Sequence, residues 1–90
     1  MNKSNLVAVV AAKAGMTKKD AERAIEATFA TITECISGED KVQISGFGTF
    51  ETRKREAYLG RNPRTNEAVQ VPAARIPAFI PSKKLKDHLR

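Results

Sequence analysis

Residues 41–75 read KVQISGFGTFETRKREAYLGRNPRTNEAVQVPAAR, and the fold turns on this stretch. Val42 and Ile44 alternate with Lys41, Gln43 and Ser45, the period of a half-buried strand. Gly46-Phe47-Gly48 permits a tight reversal or bulge, and from Thr49 the chain extends again with Phe50 facing the core. Past Phe50 the alternation decays: one phase reads Arg53, Arg55, Ala57, Leu59, Arg61 and the other Lys54, Glu56, Tyr58, Gly60. Neither phase offers an apolar face, so residues 53–75 are expected to leave the core. Gly60-Arg61-Asn62-Pro63-Arg64-Thr65-Asn66 is dense in turn chemistry, and Pro72 confines the return strand, Glu67 to Ala74, to an edge. The simplest reading is a two-stranded ribbon of about eight residues per strand, some 25 Å long at roughly 3.3 Å per residue. A ribbon of this kind is marginally stable alone in water and is expected to be mobile until bound.

Upstream, the period is helical. Asn2 can cap a helix running through Ala14, with Leu6, Val9, Val10 and Ala14 as its expected buried face and Gly15 as its stop. Thr17 starts a second helix whose apolar face reads Ala21, Ala24, Ile25, Thr28, Phe29, Ile32 and Ile36, and which Gly38 ends. Downstream, Ser82 caps a short final helix expected to bury Leu85 and Leu89 and to expose Lys83, Lys84, Lys86 and Arg90. The fold class is therefore α+β in one domain. A helical hairpin (1–40) precedes a three-stranded antiparallel sheet (41–52 and 76–81) extended into a β-ribbon arm (53–75), and the helix at 82–90 closes the chain.

The chain of 90 residues has a formal charge of +6, unevenly spread. Residues 1–40 hold five basic and six acidic groups, whereas residues 41–90 hold eleven basic and four acidic ones, a net of +7. The arm alone carries Arg53, Lys54, Arg55, Arg61, Arg64 and Arg75 against Glu56 and Glu67. An anionic partner is expected to meet the second half. Setting the arm aside leaves 67 residues for a body that nevertheless contains all four Phe. A body of that size buries only about 60% of its chain surface. Its aromatics suggest an intertwined homodimer with a core shared by Phe29, Ile32, Ile36, Ile44, Phe47, Phe50 and Phe79.

Several classes of function find little support. One Cys and one His exclude a disulfide framework and a multi-cysteine zinc site. Glu39-Asp40, the one adjacent acidic pair, falls in an expected turn, and His88 has no evident ligand partners, so no catalysis, metal or cofactor is expected. The longest apolar run, Leu6 to Ala12, is seven residues against roughly 20 for a membrane-spanning helix. That run faintly imitates a leader with an A-x-A site, but its removal would delete a well-formed helix; a cytosolic protein with reduced Cys35 is the expectation.

Three segments together resemble the bacterial histone-like HU/IHF family: Gly46-Phe47-Gly48-Thr49-Phe50, then Gly60-Arg61-Asn62-Pro63-Arg64-Thr65, then Pro77-Ala78-Phe79-Ile80-Pro81-Ser82-Lys83-Lys84-Leu85-Lys86. The opening Met1-Asn2-Lys3-Ser4 is more similar to the HU branch than to the IHF subunits. The resemblance implies an intertwined dimer whose two arms embrace double-stranded DNA through the minor groove. It implies a cytoplasmic, nucleoid-associated protein that bends and compacts DNA with little sequence preference. Arg53, Arg55, Arg61 and Arg64 suit the negative potential of a narrow minor groove. Asn62 belongs to the same tip motif, and Tyr58 could stack on sugar or base edges. Proteins of this type, HU and IHF among them, insert apolar wedges between base steps, and Pro63 matches that position. Lys3, Lys83 and Lys86 match body positions that contact phosphates, and Arg75 matches one at the arm base. Tyr58 and Leu59 stand where basic residues are common, Asn66 where Gly is common, and Ile80 and Ser82 where Lys or Arg and Gly are frequent. A sequence-preferring bender of the IHF type, an RNA-binding module and a protein-interaction module remain the alternatives, as do distorted DNA forms as the preferred target. No small-molecule substrate is implied.

Overall fold

A computed structural model describes every residue from Met1 to Arg90. The chain divides into two units, Met1–Glu34 and Cys35–Arg90. The first is helical. Helix α1 spans Lys3–Ala14 and opens with a reciprocal capping box. The Asn5 backbone N–H donates to Asn2 Oδ1 at 2.9 Å, and the Asn2 backbone N–H donates to Asn5 Oδ1 at 3.1 Å. Gly15 stops it in the left-handed region (φ 66°). Helix α2 spans Lys18–Ser37, and Thr17 Oγ1 caps it by accepting from the Asp20 N–H at 3.1 Å.

The two helices meet through Val7, Ala11 and Ala21, with Val10 and Ile25 packed against them. The expected face of α1 holds in part: Leu6 is half-buried and Val10 packs on the core, but Val9 and Ala14 are exposed, and the most buried positions are Val7 and Ala11. Every residue from Leu6 to Ala12 is apolar, so sequence alone leaves the helix without a preferred side. In α2, Thr28 and Thr31 lie exposed and donate their hydroxyls back to Ala24 O and Ala27 O, both at 2.7 Å.

Helix α2 ends in a Schellman arrangement within the second unit. The Asp40 N–H reaches Cys35 O at 3.0 Å and the Glu39 N–H reaches Ile36 O at 3.2 Å. Gly38 follows the last helical residue, as expected, and the left-handed residue that completes the cap is Glu39 (φ 62°). Five strands follow: β1 Val42–Ile44, β2 Gly48–Arg55, β3 Tyr58–Arg61, β4 Ala68–Val71 and β5 Ala74–Pro81. They form an antiparallel sheet of order β1-β2-β5 and a separate two-stranded ribbon of β3 and β4. Helix α3, Lys83–His88, is capped by Ser82 Oγ, which accepts from the Leu85 N–H at 3.1 Å. Leu85 is half-buried, but Leu89 lies beyond the helix end and is 79% exposed, contrary to its expected burial.

The β1–β2 turn places Gly46 at φ 80° and is closed by the Phe47 N–H on Ile44 O at 3.0 Å. Gly48, at the start of β2, is buried: a Cβ there would stand 2.6 Å from Ile80 O and from two carbons of the Phe79 ring. That ring packs at a tilt against Phe50 and Phe47, with centroids 4.9 and 5.2 Å away and interplanar angles of 45° and 48°. The β2–β5 ladder runs from Gly48↔Pro81 to Arg55↔Ala74, past the sheet limits expected at Thr52 and Ile76. Pro72, which has no N–H to donate, marks where pairing lapses: Glu56, Ala57, Pro72 and Ala73 lie between the sheet and the ribbon.

Candidate nucleic-acid interface

Strand alternation sorts the charged residues of the sheet onto two faces. Arg53 and Arg55 lie on the face that carries Thr49, Glu51, Ile76, Ala78 and Ile80. Lys54 and Arg75 are direct cross-strand partners on the opposite face, the one that carries Phe50 and Phe79. Arg53 is exposed. Arg55 is held: its Nη2 donates to Pro72 O at 3.4 Å, and its guanidinium lies 5.7 Å from the Tyr58 ring centroid. Its Nε is buried and meets no acceptor.

In the ribbon, Tyr58 pairs with Val71, Leu59 with Gln70, Gly60 with Val69 and Arg61 with Ala68. Pairing therefore creates a small apolar face of Tyr58, Gly60, Val69 and Val71, where the strand pattern read singly showed none. A Cβ on Gly60 would stand 3.6 Å from the Tyr58 ring and from a Val71 methyl, an ordinary contact distance, so this position sits beside both side chains without crowding them. Tyr58 thus has the Arg55 guanidinium as a partner and is otherwise about half exposed, at 51%. Leu59, on the other face beside Arg61, is 75% exposed.

The tip is ordered by its own side chains. The Asn62 N–H bonds to Glu67 O at 2.9 Å and the Asn66 N–H to Asn62 O at 2.7 Å. Asn62 Oδ1 accepts from the Arg64 N–H at 2.9 Å, an Asx turn that presents Pro63 to solvent. Asn66 takes the left-handed conformation (φ 60°) and its carbonyl accepts from Arg61 Nη1 at 3.2 Å. Asn is, after Gly, the residue that best tolerates that region, which accounts for Asn66 in a position where glycine is common. The sequence placed Asn66 in the turn but not among the interface residues; its tolerance of positive φ was the signal for its role in shaping the tip.

The remaining expected contacts fall elsewhere. Lys83 and Lys86 are exposed on α3. Lys3, in the helical unit, pairs with Glu26 Oε1 at 2.6 Å. The hydrogen bond to Glu26, helped by the charge of Glu22, raises the Lys3 pKa above its ordinary value. Arg75 spends its guanidinium on the end of α2. Nη2 donates to Ile36 O at 2.8 Å, both Nη atoms donate to Ser37 O at 3.3 Å, and Nε lies 3.7 Å from Glu39 Oε1. Of the expected shared-core residues, only Ile32 is buried within one chain; Phe29 is 52% exposed, Phe47 45%, Phe79 40% and Ile44 38%. Ile36 and Phe50 are half-buried.

A capped helical hairpin, a three-stranded meander and a basic ribbon with an ordered, proline-bearing tip define a β-arm protein built to meet a polyanion. The profile of the family described as "Bacterial DNA-binding protein" matches residues 1–90, and the chain belongs to that family. DNA-binding protein HU of Geobacillus stearothermophilus is 50% identical over 90 residues, all of both chains. DNA-binding protein HU of Lactococcus lactis is 52% identical over 89 residues, 99% of this chain and 98% of the relative. Among solved structures, a chain of an Anabaena HU–DNA cocrystal superposes with a TM-score of 0.94 at 48% identity, covering 99% of this chain and 97% of that one.

Proposed function

We propose that this protein is a non-catalytic architectural DNA-binding protein. It binds double-stranded DNA through the minor groove with little sequence preference, bends it, and compacts a bacterial nucleoid in the cytoplasm. The observation that carries the reading is the ribbon tip, where Arg61 and Arg64 flank an exposed Pro63 in a turn held by Asn62 and Asn66. A minor groove about 6 Å wide presents a nearly degenerate base pattern, so cationic side chains there bring affinity without much sequence readout. Pro63 supplies the compact apolar wedge. Arg53, Arg55, Arg61, Arg64, Lys3, Lys83 and Lys86 supply phosphate and groove contacts, Asn62 shapes the tip, and Tyr58 stiffens the ribbon while facing the duplex. The solved relative from Anabaena, described as an HU–DNA cocrystal, supports the same partner.

Two copies form the working unit. Only Val7, Ala11, Ala21 and Ile32 are buried hydrophobics in the single chain, and no large side chain is fully buried. Phe29 instead lines an open groove of about 430 Å³ with Lys3, Leu6, Ile25 and Glu26. The second copy covers such surface and brings the formal charge from +6 to about +12.

The test compares wild type with Pro63→Ala on an end-labelled duplex, reading affinity and bend together. The substitution is expected to leave electrostatic binding within a few-fold and to reduce the bend. Equal bending would remove Pro63 from the mechanism. Tighter binding to single-stranded RNA than to duplex DNA would overturn the assignment of the partner.

A further inference from the structure

We propose that Arg75 is a positioning residue at the root of the ribbon. It ties the last turn of α2 to strands β5 and β2, and acts on DNA by setting the direction of the ribbon rather than by touching a phosphate. This rests on the DNA-binding reading above. The last carbonyls of a helix lack intrahelical partners and carry negative partial charge, so a cation with several donors suits them. Arg75 meets Ile36 O and Ser37 O from its Nη atoms, Thr52 Oγ1 on the neighbouring strand at 3.4 Å, and Glu39 on its Nε side. All three guanidinium nitrogens are thereby engaged. A phosphate that drew on Nη2 would compete with the helix-end carbonyls for its two N–H groups.

The position in the ladder gives the brace its consequence. Lys54↔Arg75 is the pair next to the last one of the sheet, Arg55↔Ala74, beyond which Pro72, Ala73, Glu56 and Ala57 are unpaired. Arg75 thus anchors the penultimate paired step before the joint that leads into the ribbon. The same contacts make a like-charged cross-strand pair, Lys54 opposite Arg75, tolerable, because the helix-end carbonyls and Glu39 offset the second cation. Lysine cannot substitute, since one ammonium does not span two carbonyls and a hydroxyl with the fork geometry of a guanidinium.

The experiment uses the full chain and a straight duplex, a nicked duplex of the same sequence, and the variants Arg75→Gln, Arg75→Lys, Thr52→Val and Arg53→Gln. Readouts are the slope of log affinity against log salt and the end-to-end distance distribution of the labelled duplex. A lost phosphate contact lowers the salt slope by about 0.9 per arm, close to 2 for a pair of arms. Arg53→Gln is expected to show that loss. Arg75→Gln is expected to keep the wild-type slope, broaden the bend distribution, and lose at least threefold more affinity for the straight duplex than for the nicked one. Arg75→Lys is expected to retain the slope without restoring the bend. Thr52→Val, which changes no charge, is expected to broaden the bend in the same direction and serves if Arg75→Gln does not fold. A slope reduced by Arg75→Gln and restored by Arg75→Lys, with bending unchanged, would make Arg75 a phosphate contact and overturn the proposal, as would wild-type behaviour in all Arg75 and Thr52 variants. Absence of duplex binding by the wild type would instead sink the DNA-binding reading itself.

Discussion

Gly48 is the glycine with the least room for a side chain. Any side chain there must displace the Phe79 ring or the Ile80 carbonyl, each 2.6 Å from where a Cβ would sit. Overpacking of this kind costs about 1–3 kcal/mol, so Gly48→Ala is expected to lower the urea midpoint by a corresponding amount with an unchanged m-value. An unaltered midpoint would mean that the Phe47–Phe50–Phe79 cluster shifts without cost. Lys3 offers a second expectation. Its pKa is raised above the unfolded value by the Glu26 hydrogen bond, so the stabilisation it provides is complete below the ordinary lysine range, near pH 10.4. It is lost as pH climbs through the folded pKa. Wild type is expected to lose stability more steeply than Glu26→Gln above about pH 10, and parallel curves in alkaline unfolding titrations would show the pair to be idle.

At the scale of elements, the ribbon shows what pairing adds to a strand. Read singly, Tyr58 and Val71 belong to segments with no apolar face; registered as partners, beside the Gly60–Val69 pair, they form one. Tyr58 is half exposed and holds the Arg55 guanidinium, whereas Leu59 is open to solvent beside Arg61. Leu59→Arg is expected to steepen the salt dependence of DNA binding by about 0.9 per chain, with little change in stability. An unchanged slope would place position 59 away from the phosphates. Helix starts were the most legible features, because Asn2, Thr17 and Ser82 cap through their own side chains. The sheet limits were less so. The ladder continues while donors and acceptors find partners and lapses beside Pro72, irrespective of where apolar alternation fades.

At the scale of the molecule, the exposure of Phe29, Phe47 and Phe79 argues that stability belongs to a pair of chains. The melting temperature is expected to rise with protein concentration, and light scattering is expected to give twice the chain mass of 9.9 kDa. A concentration-independent melt at the single-chain mass would contradict the pairing.

Local chemistry determined a great deal from sequence alone: the order of helices and strands, the caps, the turn at Asn62-Pro63 and the concentration of positive charge after residue 40. Those features depend on a residue and its near neighbours. The tertiary structure decided which side of α1 is buried, because a run of seven apolar residues has no preferred face until α2 supplies Ala21 and Ile25. It also decided what Arg75 does. Its contacts with Ile36 and Ser37 join residues nearly forty positions apart, and only the folded chain brings a helix end within 2.8 Å of that guanidinium.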